Sequence, residues 1–186
     1  MADFPTLKPA FTMQVTLTTA YIHHYIGLDR PSSERSTAKN CNFVVTPMVG
    51  GTVKSEPGFL PAFNGQLASN GNDYIRTDPD GKRLRLDAHT VVKTDTGASV
   101  YINYTGVVDL TPEINAILTG REEAASTQFG NIFTTLKFEV NRNLSQSGDA
   151  DHAALENGIF VASGRFIYEK GQKPIVDYKV SQVCKG

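Results

Sequence analysis

Polar and apolar residues alternate in several short stretches of the chain, and a period of two is typical of β-strands with one buried face. Residues 11–17 alternate Phe, Met, Val and Leu with Thr and Gln, and residues 83–94 repeat the alternation over a longer stretch. The pattern therefore predicts a mainly β protein. Further strands are predicted at residues 42–53, 65–67, 74–77, 98–104, 129–140, 158–168 and 175–183.

Turn residues separate these strands. Asp-Pro-Asp-Gly at 78–81 and Asp-Thr-Gly at 95–97 are typical of hairpin turns. Thr111 followed by Pro and Glu predicts the start of a short helix, and Gly120 predicts its end. The Gly50–Gly51 pair inside a strand indicates a bulge or sharp bend.

Three stretches are less regular. Residues 18–26 either extend the first strand or form a short helix, because aromatic and apolar residues follow one another there without alternation. Residues 27–40 and 141–156 are polar and predict mobile loops. Many short strands with one short helix indicate an antiparallel barrel or sandwich, and the lack of a charged or proline-blunted edge favours the closed barrel. A barrel of about eight to ten strands has room for one small ligand.

The chain has 186 residues, which suits a single domain with its core at about 11–183. It carries 18 Lys and Arg against 19 Asp and Glu, so a nucleic acid partner is not expected. No apolar run reaches the ~20 residues of a membrane helix, and the N-terminus lacks a secretion signal. We therefore expect a cytoplasmic protein without a membrane partner.

Motifs for nucleotides, catalytic serines and metals are missing, so neither a cofactor nor a metal is expected. Polar candidates lie instead on the central hairpin. Arg85, Asp87 and His89 share one strand face, and about 3.3 Å per residue places Asp87 and His89 near one another. His89 is a general acid or base candidate near neutral pH, oriented by Asp87. Tyr101 and Asn103 lie on the next strand. The pattern leaves open whether this face is solvated or lines the barrel.

Other candidates come from the remaining strands. Glu139 is either an ion partner of Lys137 or Arg142, or a carboxylate in a pocket. Thr135 lies on the same polar-dense strand. Aromatic residues are expected in the core or a pocket wall, where they suit an apolar ligand bearing oxygen. These aromatic candidates are Tyr74, Tyr101, Phe133 and Phe160.

An ordered set of short motifs resembles the domain of unknown function 3237 family, small proteins of soil bacteria and filamentous fungi. The motifs are VGGTV at 49–53, NG at 64–65, NDY at 72–74, LDAH at 86–89, TDTGASVYIN at 94–103, FTTLKFE at 133–139 and NGIF at 157–160. The resemblance implies a calycin-like closed barrel around a pocket. It also implies recurring family positions at Asp87, Asn103, Thr135, Glu139 and Asn157. The polar stripe formed by Arg85, Asp87 and His89 is then as compatible with facing into the barrel as with facing solvent.

The chain departs from the family pattern at several of these positions. His89 replaces an arginine, Tyr74 replaces a tryptophan, and residues 153–157 lack two aromatic residues of the family motif. These changes suggest a pocket adapted to proton transfer and a bulkier ligand. Fungal relatives resemble accessory genes of secondary metabolism, which fits a polyketide- or terpenoid-like ligand.

Two functions remain as hypotheses, with a purely structural subunit as a third. The first is an isomerase, cyclase or rearrangement enzyme without metal or cofactor, acting on a small apolar oxygenated metabolite inside the barrel. Asp87 and His89 would move the proton, with Glu139 as a second candidate. Tyr74, Arg85, Tyr101, Asn103, Phe133, Thr135, Asn157 and Phe160 would bind substrate. The alternative is a non-catalytic binding or carrier barrel. An exposed strand could also pair two copies, so a homodimer is possible.

Overall fold

The computed structural model describes residues 3–18, 41–140 and 152–186, together with the backbone of residues 35–36. Within these ranges the chain forms ten strands and one α-helix. The strands are β1 (Thr6–Leu17), β2 (Arg35–Ser36), β3 (Cys41–Ser55), β4 (Gly65–Leu67), β5 (Gly71–Thr77), β6 (Arg83–Thr94), β7 (Ser99–Asp109), β8 (Ile132–Val140), β9 (Phe160–Ile167) and β10 (Ile175–Cys184). The helix α1 is Pro112–Thr119, and a 3₁₀ turn spans Ala153–Asn157.

The strands form one antiparallel sheet that returns to its starting strand. β1 pairs with β10 on one side and with β3 on the other. From β10 the sheet continues through β9, β8, β7 and β6, and β4 and β5 together bridge β6 to β3. The sheet thus closes on itself, and the prediction of a mainly β, barrel-like antiparallel fold with a short helix is confirmed.

Alternation along the strands decides what fills the interior. β8 shows it most clearly, because every second residue from Ile132 to Val140 is buried and the residues between are exposed. Five phenylalanines meet inside the barrel with ring centroids 5.1–6.1 Å apart, mostly edge to face. These rings are Phe11, Phe59, Phe63, Phe138 and Phe160. Each buried ring contributes about 1.5–3 kcal/mol of transfer free energy, so this cluster anchors the fold.

The predicted helix and turns are confirmed. Thr111 caps α1 by accepting a hydrogen bond from the Ile114 N–H, and Gly120 ends it in the left-handed conformation. Gly81 has a φ of 70° in the first hairpin turn, and its N–H donates to the Asp78 carbonyl. Ile114 and Ile117 of α1 are buried in the barrel core.

The glycine pair of β3 lies at a bulge, as predicted. The β1–β3 register shifts between Thr16 and Leu17, opposite Gly50 and Met48. At the neighbouring Gly51 a Cβ would lie 2.0 Å from the Gln14 carbonyl oxygen, so β1 and β3 approach too closely there for a side chain. This close approach helps the sheet to bend and close.

The irregular stretches are described only in part. Of the expected strand extension or helix at 18–26, the structure describes residue 18, which follows the end of β1, and residues 19–26 lie outside the described residues. Of the loop at 27–40 it describes residues 35–36, where β2 pairs with β3. Of the loop at 141–156, the structure describes residues 152–156, and most of the 3₁₀ turn falls within them. Among the described residues no helix is both long and apolar enough to cross a membrane.

Candidate functional site

The polar stripe of β6 lies on the outer face of the barrel. Leu84, Leu86 and Ala88 are buried in the interior. The Asp87 and His89 side chains are 46% and 39% exposed on the opposite face. The inward-facing orientation is therefore wrong, because the apolar residues of this strand occupy that side and exclude the charged ones. A reaction at Asp87 and His89 would take place outside the barrel.

Asp87 and His89 of the stripe form a hydrogen-bonded chain with Tyr101 of β7. The His89 ring lies between the Asp87 carboxylate and the Tyr101 hydroxyl, with Nε2 3.1 Å from Asp87 Oδ1 and Nδ1 2.5 Å from the phenol oxygen. The carboxylate favours the tautomer with its proton on Nε2, so Nδ1 accepts the Tyr101 O–H. The order phenol, imidazole, carboxylate is that of a proton relay.

Asp87 is held from two directions. The Asn103 side-chain NH₂ donates to Asp87 Oδ1 at 3.1 Å and to the Ala88 carbonyl at 3.1 Å. The backbone N–H of Asp87 donates to the Asp73 carboxylate at 3.1 Å. The first contact holds the carboxylate that orients His89 and the second holds the Asp87 backbone, so the imidazole has a defined position without substrate.

Aromatic side chains complete one wall of this cluster. The Tyr74 ring meets His89 edge to face at 5.7 Å and lies nearly parallel to Phe43 at 6.4 Å. The Arg76 guanidinium covers the other part of that wall, 4.5 Å from the centre of the Phe43 ring. We call Tyr74, Asp87, His89, Tyr101 and Asn103 the outer polar cluster.

Tyr101 keeps its proton at neutral pH. Burial raises its pKa, and the negative charges of Glu139 and Asp87 raise it further. Glu139 lies directly opposite Tyr101 on β8, on the exposed face. Glu139 therefore does not lie in an interior pocket, and its negative charge acts on Tyr101 from the neighbouring strand. Among the ion pairs of the described residues there is none between Glu139 and Lys137, and Arg142 lies outside the described residues.

A groove of about 770 Å³ adjoins the cluster on the same outer surface. It crosses β6, β7, β8, β9 and β10 and reaches Leu7 of β1, and we call it the outer groove. No residue of the outer polar cluster lines the groove itself. The link between them is Thr105, which lines the groove and is the partner of Asp87 across the β6–β7 ladder; its hydroxyl lies 3.3 Å from that of Thr135. Among the residues that line the groove are Arg85, Thr105, Val107, Phe133, Thr135 and Val161.

The cations at the groove are already paired. Arg85 forms a bidentate contact with Asp78, its closest nitrogen–oxygen distance being 2.7 Å. Lys179 donates to Thr12 at 2.7 Å and lies 3.4 Å from a Glu56 carboxylate oxygen. With these charges balanced, hydroxyl groups and apolar side chains are left to contact a ligand. The groove therefore suits a neutral, largely apolar molecule that bears oxygen.

The structure brings most of the predicted site residues together, but not all. Phe133 and Thr135 line the outer groove beside Arg85. Phe160 is buried in the phenylalanine cluster and reaches neither the groove nor the outer polar cluster, because its position on β9 faces inward. Asn157 lies exposed at the end of the 3₁₀ turn. We therefore do not place these two residues in the site.

Sequence reasoning missed a polar group inside the barrel. Asp73 is buried, and removal of its carboxyl from water raises its pKa from 3.8 to about 7. It borders a cavity of about 50 Å³, together with Thr46, Tyr104 and Tyr178. We call this cavity the interior chamber. Asp73 stands in the NDY motif, yet alternation in β5 is too weak to show that it faces inward.

In the described part of the chain, no three His, Cys, Asp or Glu side chains lie close enough together to hold a metal ion.

Comparison with solved structures supports the fold. A crystal structure of a conserved protein of unknown function from Rhodopseudomonas palustris matches with a TM-score of 0.67 at 21% identity, over 97% of this chain and 98% of that chain. A β-barrel-like protein from Acinetobacter baumannii matches with a TM-score of 0.61 at 19% identity, over 97% and 96%. A protein of unknown function from Clostridium acetobutylicum gives 0.60 at 18% identity, over 97% of each chain.

No curated protein sequence matches the chain. The family model described as protein of unknown function, DUF3237, matches residues 5–183. This match spans every strand from β1 to β9 and nearly all of β10, and it confirms the resemblance carried by the sequence motifs. The chain therefore belongs to the DUF3237 family.

Proposed function

We propose that the protein is an acid–base catalyst that works without a cofactor and isomerises, cyclises or rearranges a small apolar oxygenated metabolite. The hydrogen-bonded chain of Asp87, His89 and Tyr101 is the observation that carries this proposal. The substrate would lie in the outer groove, with its reacting atoms beside the outer polar cluster. This placement differs from the sequence-based hypothesis, which put the reaction inside the barrel.

The chain of three groups supports proton transfer in both directions. With His89 neutral, Nδ1 accepts the Tyr101 proton, so the phenol oxygen can take a proton from substrate as its own passes to His89. With His89 protonated, Nδ1–H donates to the phenol oxygen and leaves the Tyr101 O–H free to protonate substrate. Asp87 stabilises the imidazolium in either direction. Because the pKa of Tyr101 is raised, its phenol form persists as the proton donor.

The outer groove supports the substrate class. Its volume of about 770 Å³ lies within the range of small-molecule sites, roughly 300–1,000 Å³. Exposed Phe133 offers an apolar surface, and the Thr105 and Thr135 hydroxyls offer hydrogen bonds to oxygen atoms. A polyketide- or terpenoid-like molecule combines these two properties. Holding it beside the outer polar cluster supplies orientation, and acid–base catalysis adds about 10²–10⁴-fold in rate.

The test begins with the source organism after deletion of this gene. We expect a precursor or isomer to accumulate, and the purified protein to convert it. His89→Ala should lower turnover by about 10²–10⁴-fold while the dissociation constant of the compound stays close to that of the wild type. Lys137→Ala is the matched control, because Lys137 lies opposite Asn103 on the same surface without joining the chain of three groups. Equal turnover in wild type and His89→Ala would refute the catalytic assignment.

A non-catalytic carrier is the second candidate, and the neutral character of the outer groove favours it. Arg85 and Lys179 are already paired with carboxylates, so a ligand in the groove would be held by hydroxyl and apolar contacts. Such binding needs no titratable group. A carrier predicts a small molecule that copurifies intact at one per chain and is released unchanged. Substitution of Phe133 by Asp would then abolish copurification, whereas His89→Ala would leave it intact.

A further inference from the structure

The interior chamber lies between the strands near the helix end of the barrel, on the opposite side of the sheet from the outer polar cluster. Its wall is mostly aliphatic and aromatic, with Leu84, Val108, Leu118, Ile132 and Phe166 among its residues. Polar groups enter this wall at four positions, which are Thr46, Asp73, Tyr104 and Tyr178. All four are buried.

Asp73 keeps hydrogen-bonding capacity for an occupant. Its carboxyl accepts one hydrogen bond within the described residues, from the Asp87 N–H to Oδ1. A carboxyl group has more acceptor positions than this, and a protonated one also has a donor. Burying such a group without further partners is costly, so an occupant that supplies them stabilises the site.

The tyrosines place two hydroxyl groups in the same chamber. The Tyr104 and Tyr178 rings lie 5.6 Å apart, and both are almost fully buried. The negative charge of Asp73 acts on both, raising the pKa of each phenol beyond the effect of burial. Both hydroxyls therefore stay protonated. The Tyr104 O–H is already engaged with the Met48 sulfur at 4.0 Å and with the Tyr178 hydroxyl, so the Tyr178 O–H is the one left to donate to an occupant.

The charges around the chamber select the type of occupant. Asp87 from β6, Tyr104 from β7 and Tyr178 from β10 are the titratable groups that interact with Asp73. β3, β8, β9 and α1 contribute Thr46, Ile132, Phe166 and Leu118, which carry no charge. The described lining residues include no cation, so an anion would be repelled and poorly solvated there.

Size sets a second limit on the occupant. One water needs about 10–15 Å³ of such space, so the chamber of about 50 Å³ has room for about three to five water-sized groups. An engineered apolar cavity of about 150 Å³ admits benzene or xenon, which shows that small solutes can reach a buried cavity in a protein. We propose that the interior chamber binds a small neutral molecule of about four heavy atoms. One of these atoms is a carbonyl or hydroxyl oxygen, and the others form an apolar body.

This site is separate from the outer polar cluster and does not depend on the proposed catalysis. Asp73 links the two sides of the sheet through its bond to the Asp87 N–H. Because a ligand at Asp73 would change that bond, the Asp87 amide resonance reports occupancy of the chamber from outside it.

Three probes of the same shape test the proposal by nuclear magnetic resonance. Acetone has a neutral carbonyl, acetate has the same skeleton with a negative charge, and isobutene replaces the oxygen by carbon. We expect acetone to shift the methyl signals of Leu84, Val108 and Leu118 and the amide signal of Asp87, saturably and in the millimolar range. Acetate should produce no such shift, and isobutene should bind at least about threefold more weakly.

Variants locate the response. Asp73→Leu should abolish it, whereas Asp73→Asn should retain it, because an amide can still accept from the Asp87 N–H and donate to the ligand. Tyr178→Phe, which keeps the ring, should weaken acetone binding severalfold and confirms the site if Asp73→Leu fails to fold. His89→Ala should bind acetone like the wild type, which separates this inference from the proposed function.

Three results would overturn the inference. The first is the absence of any saturable shift with acetone. The second is an equal response to acetate or isobutene. The third is a response confined to Val107 and Val161, because these residues line the outer groove rather than the chamber.

Discussion

Asp73 makes the stability of the protein depend on pH in a direction opposite to that of a salt-bridged carboxylate. Its pKa is about 7 in the folded chain against 3.8 for an ordinary aspartate, because burial disfavours the charged form. At a pH below both values the carboxyl is protonated in both states, and it has no effect on the free energy of unfolding. Between the two values the unfolded chain releases the proton and the folded chain keeps it.

The magnitude follows from this difference. The free energy of unfolding should fall by about 1.4 kcal/mol for each pH unit between 3.8 and about 7. The accumulated loss is about 4 kcal/mol, and it levels off above the folded-state pKa. Asp73→Asn removes the titration and keeps an oxygen for the Asp87 N–H, so the variant should gain stability over the wild type as the pH rises through this window.

The assay is urea unfolding of both proteins at intervals between about pH 4 and pH 8. Comparing the slopes with pH cancels any constant effect of the amide. Asp95→Asn is the matched control, because Asp95 is exposed in the turn after β6, and its profile should run parallel to that of the wild type. Parallel profiles for Asp73→Asn and the wild type would refute the reasoning, because they would mean that Asp73 is not desolvated in the folded protein.

Three further predictions test the fold and the site. Phe11→Ala should cost about 3–5 kcal/mol in urea unfolding because the ring is fully buried, whereas Phe133→Ala, whose ring is 57% exposed, should stay within about 0.5 kcal/mol. Thr111→Ala should cost about 1 kcal/mol by removing the side-chain cap of α1, and an unchanged unfolding midpoint would contradict that role. Glu139→Gln should lower the pKa of Tyr101, measured by its ring carbon shift, because it removes one of the negative charges that raise it; an unchanged value would refute the electrostatic contact.

The turns and the helix were predictable because their signals are local. Thr111 and Gly120 bound α1 through contacts within a few residues, and the Asp-Pro-Asp-Gly turn closes on itself. The grouping of Arg85, Asp87 and His89 was equally accessible, because alternation in a strand fixes which residues share a face. Alternation alone left open which of the two faces, the polar one or the one with Leu84, Leu86 and Ala88, points into the barrel.

The candidate site needed contacts between strands, which alternation within one strand does not give. The hydrogen bond between His89 and Tyr101 depends on the β6–β7 register. In that register His89 lies opposite Asn103, and Tyr101 lies opposite Val91, two residues away on the same face. The outer groove is formed by outer residues of six strands, β1 and β6 to β10, and no single strand shows it. Such surfaces arise from the curvature of the sheet, which alternation does not encode.

Most of the strands, the helix and the hairpin turns could be located from the amino-acid sequence, because they depend on side-chain period and backbone preference over a few residues. The position of the stripe outside the barrel and of Asp73 inside it follows from the closed sheet. Closure of the sheet by the β1–β10 and β1–β3 ladders brings Tyr178 across from Tyr104 and Asp73. The burial that raises the pKa of Asp73 is a property of that closed interior, and no local stretch of sequence contains it.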